Sequence, residues 1–128
     1  MFDDSIGLVC VYQEFLYRLR STGVQIKFVT NTSKESRQVL FNRLKKLGFS
    51  LKIEEIFSSL WAARDYLTIN KLNPMLLVAN EALEDFSGIC SDTEPKDSVV
   101  IGLAPEQFQY STLNDAFRYY NGLRSNKN

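Results

Sequence analysis

Two unbroken apolar runs constrain this chain more than any other feature: Met75-Leu76-Leu77-Val78-Ala79 and Ser98-Val99-Val100-Ile101-Gly102-Leu103. Each has strand length, and neither shows the polar alternation of a sheet with one face in water. Such strands are covered on both faces, as in parallel sheets whose crossovers are helices. Helical spacing surrounds them. Leu8, Tyr12, Phe15 and Leu19, with Val11 and Leu16 beside them, share one face. Val39, Leu40, Leu44 and Leu47 form a second stripe, Leu60, Ala63, Tyr66 and Leu67 a third, and Leu113, Ala116, Phe117 and Tyr120 a fourth. Strand and helix patterns alternate throughout, which predicts an α/β architecture.

Turn chemistry sets the expected boundaries. Gly23 is a left-handed stop for the first helix near Ser21. Val24-Gln25-Ile26-Lys27-Phe28-Val29 follows as a strand and ends in the polar turn 30–33. Thr32 and Glu35 have capping-box spacing, which predicts a helix opening there, and Gly48 ends it. Phe49, Leu51 and Ile53 alternate ahead of a short strand at Ile56-Phe57. Asn73-Pro74 closes the next helix. A short helix is expected over 81–86, and Ser111 is the expected cap of the last one. Residues 124–128 are polar and expected to fray.

Composition narrows the function classes. With 128 residues, 45% hydrophobic and 23% charged, the chain has globular rather than disordered composition. Fifteen basic and fifteen acidic residues cancel, so neither nucleic acid nor an anionic membrane is the expected partner. No apolar run nears the roughly 20 residues of a membrane span. Met1-Phe2-Asp3-Asp4 lacks the basic start of a signal peptide. Cys10 and Cys90 read as reduced thiols of a cytoplasmic protein. These residues contain no histidine. That excludes Ser-His-Asp and Cys-His nucleophilic systems from them, together with His-containing zinc sites.

The chemistry concentrates at the turn. In an open parallel sheet, ligands bind beyond the carboxyl ends of the strands. Residues 30–33 hold that position, with hydroxyls, backbone N–H groups and a following helix N-terminus suited to phosphate. Lys34 and Arg37 add positive charge nearby. On these residues alone the plainer reading is the favoured one: Thr32 caps a helix and Asn31 shapes a turn, since helix caps use these residue types routinely.

Phe28-Val29-Thr30-Asn31-Thr32-Ser33-Lys34-Glu35-Ser36-Arg37 resembles the second motif of the haloacid dehalogenase superfamily, an apolar strand ending in Thr-Asn with Ser-Arg one turn later. Further segments follow in the family's order. They are Leu44-Lys45-Lys46-Leu47-Gly48-Phe49, Glu54-Glu55-Ile56-Phe57-Ser58-Ser59, Pro74-Met75-Leu76-Leu77-Val78 and Val100-Ile101-Gly102-Leu103-Ala104-Pro105-Glu106. The likeness runs from about residue 16 to residue 120.

The resemblance implies a partial Rossmann-like core over residues 1–58 and part of an α/β cap over 59–128. It implies a phosphatase acting on small phosphorylated substrates, with magnesium in the complete enzyme. By the same resemblance Thr30 binds the transferring phosphoryl group and Asn31 is its substrate-binding neighbour. The family's nucleophile is the first Asp of Asp-x-(Asp or Ser)-Gly-(Thr or Val), at the end of its first strand. The chain has no such motif by this reading. Asp3-Asp4-Ser5-Ile6-Gly7 has similar letters in the wrong spacing and reads as a solvated terminus or helix cap. The third and fourth motifs, a lysine and an acidic magnesium loop, have no counterpart either. No catalytic residue and no metal ligand is therefore assigned. The expectation is a fragment or short form of such an enzyme. Its alternative is a catalytically inactive fragment that binds phosphate or another protein. Lacking its central neighbour, the strand at 24–29 would present an edge that favours self-association.

Other groups read as structural. Glu54-Glu55 and Glu81, Glu84 and Asp85 are expected to face solvent. Phe117, Tyr120 and Trp61 are expected to pack into or beside the core, with Tyr119 next to them.

Overall fold

The fold is known from a computed structural model that describes residues 4–125, with side chains for 11–122. Asp3, the side chain of Asp4, the Cys10 thiol and the tail 126–128 lie outside what is described. Among these residues four helices and four strands follow in the order α1 (Asp4–Ser21), β1 (Phe28–Thr30), α2 (Arg37–Lys46), β2 (Ile56–Ser58), α3 (Ser59–Asn70), β3 (Pro74–Leu77), β4 (Ser98–Ile101) and α4 (Tyr110–Ser125). Short 3-10 helices cover Ile53–Glu55, Asn80–Phe86 and Pro105–Gln107.

Both strand pairs are parallel. β1 lies against β2 with Thr30 opposite Ser58, and β3 against β4 with Leu77 opposite Ile101. They form two two-stranded sheets among the described residues, with helical segments between the paired strands. The cover on both faces expected of the apolar runs is not met at the end of the second, where Ile101 and Leu103 are exposed. This is α/β architecture, a partial Rossmann-like core. The buried cluster consists of Leu60 and Leu67 of α3, Val78 just past β3, and Ala82 and Phe86 of the 3-10 turn.

Several boundaries differ from the sequence expectation. The strand expected from residue 24 pairs only over Phe28–Thr30. Its partner is too short: residues 53–55 wind into a 3-10 turn, held by Lys52 N–H donating to Glu55 at 2.7 Å. Arg20 reaches the same carboxylate at 2.6 Å. Residues 24–27 therefore have no strand beside them among the described residues to complete a ladder. Glu55 is thereby tied down rather than free in solvent. α1 ends as expected, with Gly23 at φ +78. Its apolar face, however, is not buried, and Val11, Tyr12 and Phe15 are exposed. α4 rests on the sheet through Ala116, leaving Phe117 and Tyr120 exposed rather than in the core. It opens at Tyr110, so Ser111 lies inside the helix instead of capping it. The expected stripe of α2 is buried only in part: Leu40 is enclosed, whereas Val39 and Leu47 are exposed.

The candidate phosphoryl-binding turn

The segment between β1 and α2 is shaped by where its carbonyls go. Ser59 Oγ, at the start of α3, donates to Thr32 O at 2.9 Å and Asn31 O at 3.3 Å. Leu103 N–H, beyond the end of β4, donates to Ser33 Oγ at 3.1 Å and Ser33 O at 3.4 Å. Gly102 permits that approach, since a Cβ there would lie 3.0 Å from Ser33 O and 3.2 Å from Val78 Cγ1. The turn is thus fixed by three neighbours, and the carboxyl ends of β1, β2 and β4 meet around it. Ser59 and Gly102 escaped sequence reasoning because their partners lie tens of residues away. The only local signals were a serine after an apolar strand and a glycine closing an apolar run.

Thr30 is the last residue of β1 and half-buried, and Asn31 follows it exposed. Both stand at the strand's carboxyl end, as expected. Thr30 Oγ1 accepts a 3.3 Å hydrogen bond from Thr32 N–H, which leaves the hydroxyl proton available to a ligand. Among the described residues no hydrogen bond engages the backbone N–H of Ser33, Lys34 or Glu35. Lys34 is exposed.

The following helix opens at Ser36, not at Thr32, because two other contacts compete successfully for this segment. The turn carbonyls are held by α3 and Leu103, while Ser36, fully buried, caps α2 by accepting Val39 N–H at 3.1 Å. Thr32 and Glu35 form no capping box, and Glu35 instead pairs with Arg43.

The positive end of α2 already holds an anion, which the sequence did not reveal. Both carboxylate oxygens of Asp85 accept the N–H of Arg37, at 3.0 and 2.9 Å. Glu84 accepts Ser36 Oγ at 3.1 Å, and Glu81 O accepts Ser36 N–H at 2.8 Å. Asp85 is 6% exposed, contrary to the expectation of a solvated charge run. Burial pushes its carboxyl above the ordinary range, and the Arg37 N–H and guanidinium pull the other way. A phosphate at this turn would therefore meet Thr30 and the amides ahead of Ser36, not the first turn of α2.

Asp85-Phe86-Ser87-Gly88-Ile89 comes within one letter of the nucleophile pattern. It ends a 3-10 helix rather than a strand, with its carboxylate engaged at Arg37, so it is not placed as that motif requires. The Arg37 side chain does not extend the turn's positive charge in an obvious way. It stacks on Trp61, 3.3 Å from the ring centroid. Trp61 is half-buried beneath that guanidinium rather than in the core. No cluster of three or more Asp, Glu, Cys or His side chains able to hold a metal occurs among the described residues. Nor is any helix among them long and apolar enough to cross a membrane.

Other proteins share sequence or fold with this chain. The chain is 56% identical over 106 residues to haloacid dehalogenase-like hydrolase domain-containing protein 2 of Bos taurus, covering 83% of this chain and 40% of that protein. It is 36% identical over 110 residues to the phospholysine phosphohistidine inorganic pyrophosphate phosphatase of Danio rerio, covering 86% and 40%. It thus spans about 40% of the length of these curated relatives. Its fold superposes on a p-nitrophenyl phosphatase from Archaeoglobus fulgidus with a TM-score of 0.72 at 20% identity, over 85% of this chain and 43% of that one. The profile of the haloacid dehalogenase-like hydrolases matches residues 9–87, more than half of the chain, and the protein belongs to that family.

Proposed function

We propose that residues 30–35 are the phosphoryl-binding turn of a phosphatase for small phosphorylated substrates, with Thr30 and Asn31 as its ligand-contacting side chains. The observation that carries this reading is the hydrogen-bond pattern of the turn. Its carbonyls point back to Ser59 and Leu103, while the Thr30 hydroxyl proton and the amides of 33–35 have no partner among the described residues. A rigid set of donors at a strand's carboxyl end suits an oxyanion, because the donors need not reorganise when charge develops on it. The bovine and zebrafish relatives are named as a hydrolase and a phosphatase, which agrees with this assignment. We assign residues 1–58 to the core and 59–128 to part of a cap, and a cytoplasmic setting to the protein.

In this reading the chain contributes binding and orientation. Thr30 donates to a phosphoryl oxygen, the amides of the turn share its charge, and Asn31 contacts the substrate beside it. Magnesium would assist the reaction in a complete enzyme, but the described residues offer it no ligand cluster, so no step is assigned to it here. The attacking carboxylate is not supplied by Asp85, which is held by Arg37 N–H. Positioning accelerates only a reaction whose nucleophile is present. The 128-residue chain is therefore expected to bind phosphate without turning over phosphate esters. The test is p-nitrophenyl phosphate hydrolysis by the purified chain with magnesium. The expected result is no turnover above a heat-denatured control. Hydrolysis abolished by Asp3→Ala, Asp4→Ala or Asp85→Asn would assign a nucleophile within the chain and overturn this reading.

A further inference from the structure

Away from the turn, two guanidinium groups converge on one indole. Arg37, from the first turn of α2, stacks on Trp61 at 3.3 Å from the ring centroid, and Arg64, one turn along α3, lies 4.6 Å from it. Beside them is a cavity of about 250 Å³, also bordered by Gln38, Glu84 and Asp85. Like charges brought this close are ordinarily balanced by carboxylates. Here neither guanidinium has an ion pair within 4.0 Å or a side-chain hydrogen bond among the described residues. Of the carboxylates nearby, Asp85 accepts Arg37 N–H and Glu84 accepts Ser36 Oγ, while Glu54 and Asp65 act on Arg37 without an ion pair within 4.0 Å.

Stacking on an aromatic face satisfies the flat side of a guanidinium but none of its donors, which lie in its plane. The Arg37 Nε–H is buried and has no acceptor. A buried donor without a partner is costly unless a ligand completes it. Desolvation, the largest influence on Arg37, lowers its pKa despite nearby acids, and Arg64 adds to that effect. The Arg37 guanidinium is thus desolvated without a carboxylate bonded to it among the described residues. Room is sufficient, since a water occupies about 30 Å³ of liquid.

We propose that the cavity lined by Arg37, Arg64 and Trp61 is a second oxyanion site, separate from the Thr30–Asn31 turn, that takes a small phosphoryl or carboxylate group on guanidinium N–H donors. Forked donors recognise both chemistries. The site has a built-in reporter, because Trp61 is the sole tryptophan of the chain.

The experiment titrates the purified chain with sodium phosphate, and separately with sodium acetate, at ionic strength held constant with sodium chloride, following Trp61 emission. A saturable change with at least one anion is expected. It should be weakened at least tenfold in Arg64→Gln and in Arg37→Gln, and retained in Thr30→Ala. Saturation by phosphate alone would assign the site to phosphoryl groups, and saturation by acetate to carboxylates; both support it. Arg64→Gln keeps a test available if Arg37→Gln perturbs α2, with far-ultraviolet circular dichroism as the check on folding. No saturable change, or equal affinity in Arg64→Gln, would overturn the proposal. Loss of the signal in Thr30→Ala would overturn it too, by reducing the two sites to one, whereas failure of Thr30 to bind phosphate would leave this test untouched.

Discussion

The carboxylate of Asp85 straddles the backbone N–H of Arg37, with its two oxygens 3.0 and 2.9 Å away. The contact fastens the 3-10 turn of Asn80–Phe86 to the start of α2, and through Ser36 to the turn at residues 30–35. Asp85→Ala should leave that N–H without its acceptor and cost about 1–3 kcal/mol in chemical denaturation. Asp85→Asn keeps an acceptor oxygen and should cost less. Because burial raises the folded-state pKa of Asp85 above its unfolded value, its contribution is fully present below the unfolded pKa and is lost as pH rises through the folded one. Stability relative to Asp85→Asn should therefore fall as pH climbs through and just above the ordinary carboxylate range. A difference that is flat, or that rises with pH, would contradict this.

Gly102 is required by proximity, not by backbone conformation, since its φ is not in the left-handed region. In Gly102→Ala the new methyl carbon would stand 3.0 Å from Ser33 O and 3.2 Å from Val78 Cγ1. Overpacking of this kind costs about 1–3 kcal/mol. The Leu103 amide, which donates to Ser33, should then exchange its hydrogen faster. Unchanged exchange would mean that the turn is not held by β4.

Phe86 and Phe117 separate core from surface. Phe86 is 2% exposed in the central cluster, and Phe86→Ala should cost about 3–5 kcal/mol. Phe117 is 62% exposed, so Phe117→Ala should change stability by no more than about 0.5 kcal/mol. Similar losses from the two would place α4 more deeply than described here.

Exposed apolar surface should make the chain associate. Val29 of β1 is 73% exposed, β2 is the only strand paired with β1 among the described residues, and Val11, Tyr12 and Phe15 of α1 are exposed as well. Unpaired edges and apolar patches recruit other chains. Light scattering over a concentration series should show dimers or larger species, reduced in Val29→Lys. A monomer throughout would show that this surface is inert.

The α/β class and the place of Thr30 were legible because they depend on local pattern: unbroken apolar runs, helical stripes and a polar turn at a strand's end. The length of β1 was not, because it is set by a partner whose residues 53–55 turn away to serve Arg20 and Lys52. The opening of α2 was hidden for a similar reason. Thr32 and Glu35 have capping spacing, yet Ser59, Leu103 and Asp85 decide where the helix begins. Asp85 looked like one charge in an acidic run, and only tertiary contact shows it buried. The third stripe led to Trp61, but not to the two arginines that cover it.

The central claim is that donors of the turn bind a phosphoryl group, and amide chemical shifts test it most directly. Inorganic phosphate added to the nitrogen-15-labelled chain at constant ionic strength should shift the amides of Ser33, Lys34 and Glu35 saturably, and Thr30→Ala should weaken that response with the fold intact. In a catalytically complete protein bearing the same turn, loss of the Thr30 donor should remove about 2.7–4 kcal/mol of transition-state stabilisation. Amides of residues 33–35 that stay unmoved by phosphate, or that respond equally in Thr30→Ala, would contradict the account.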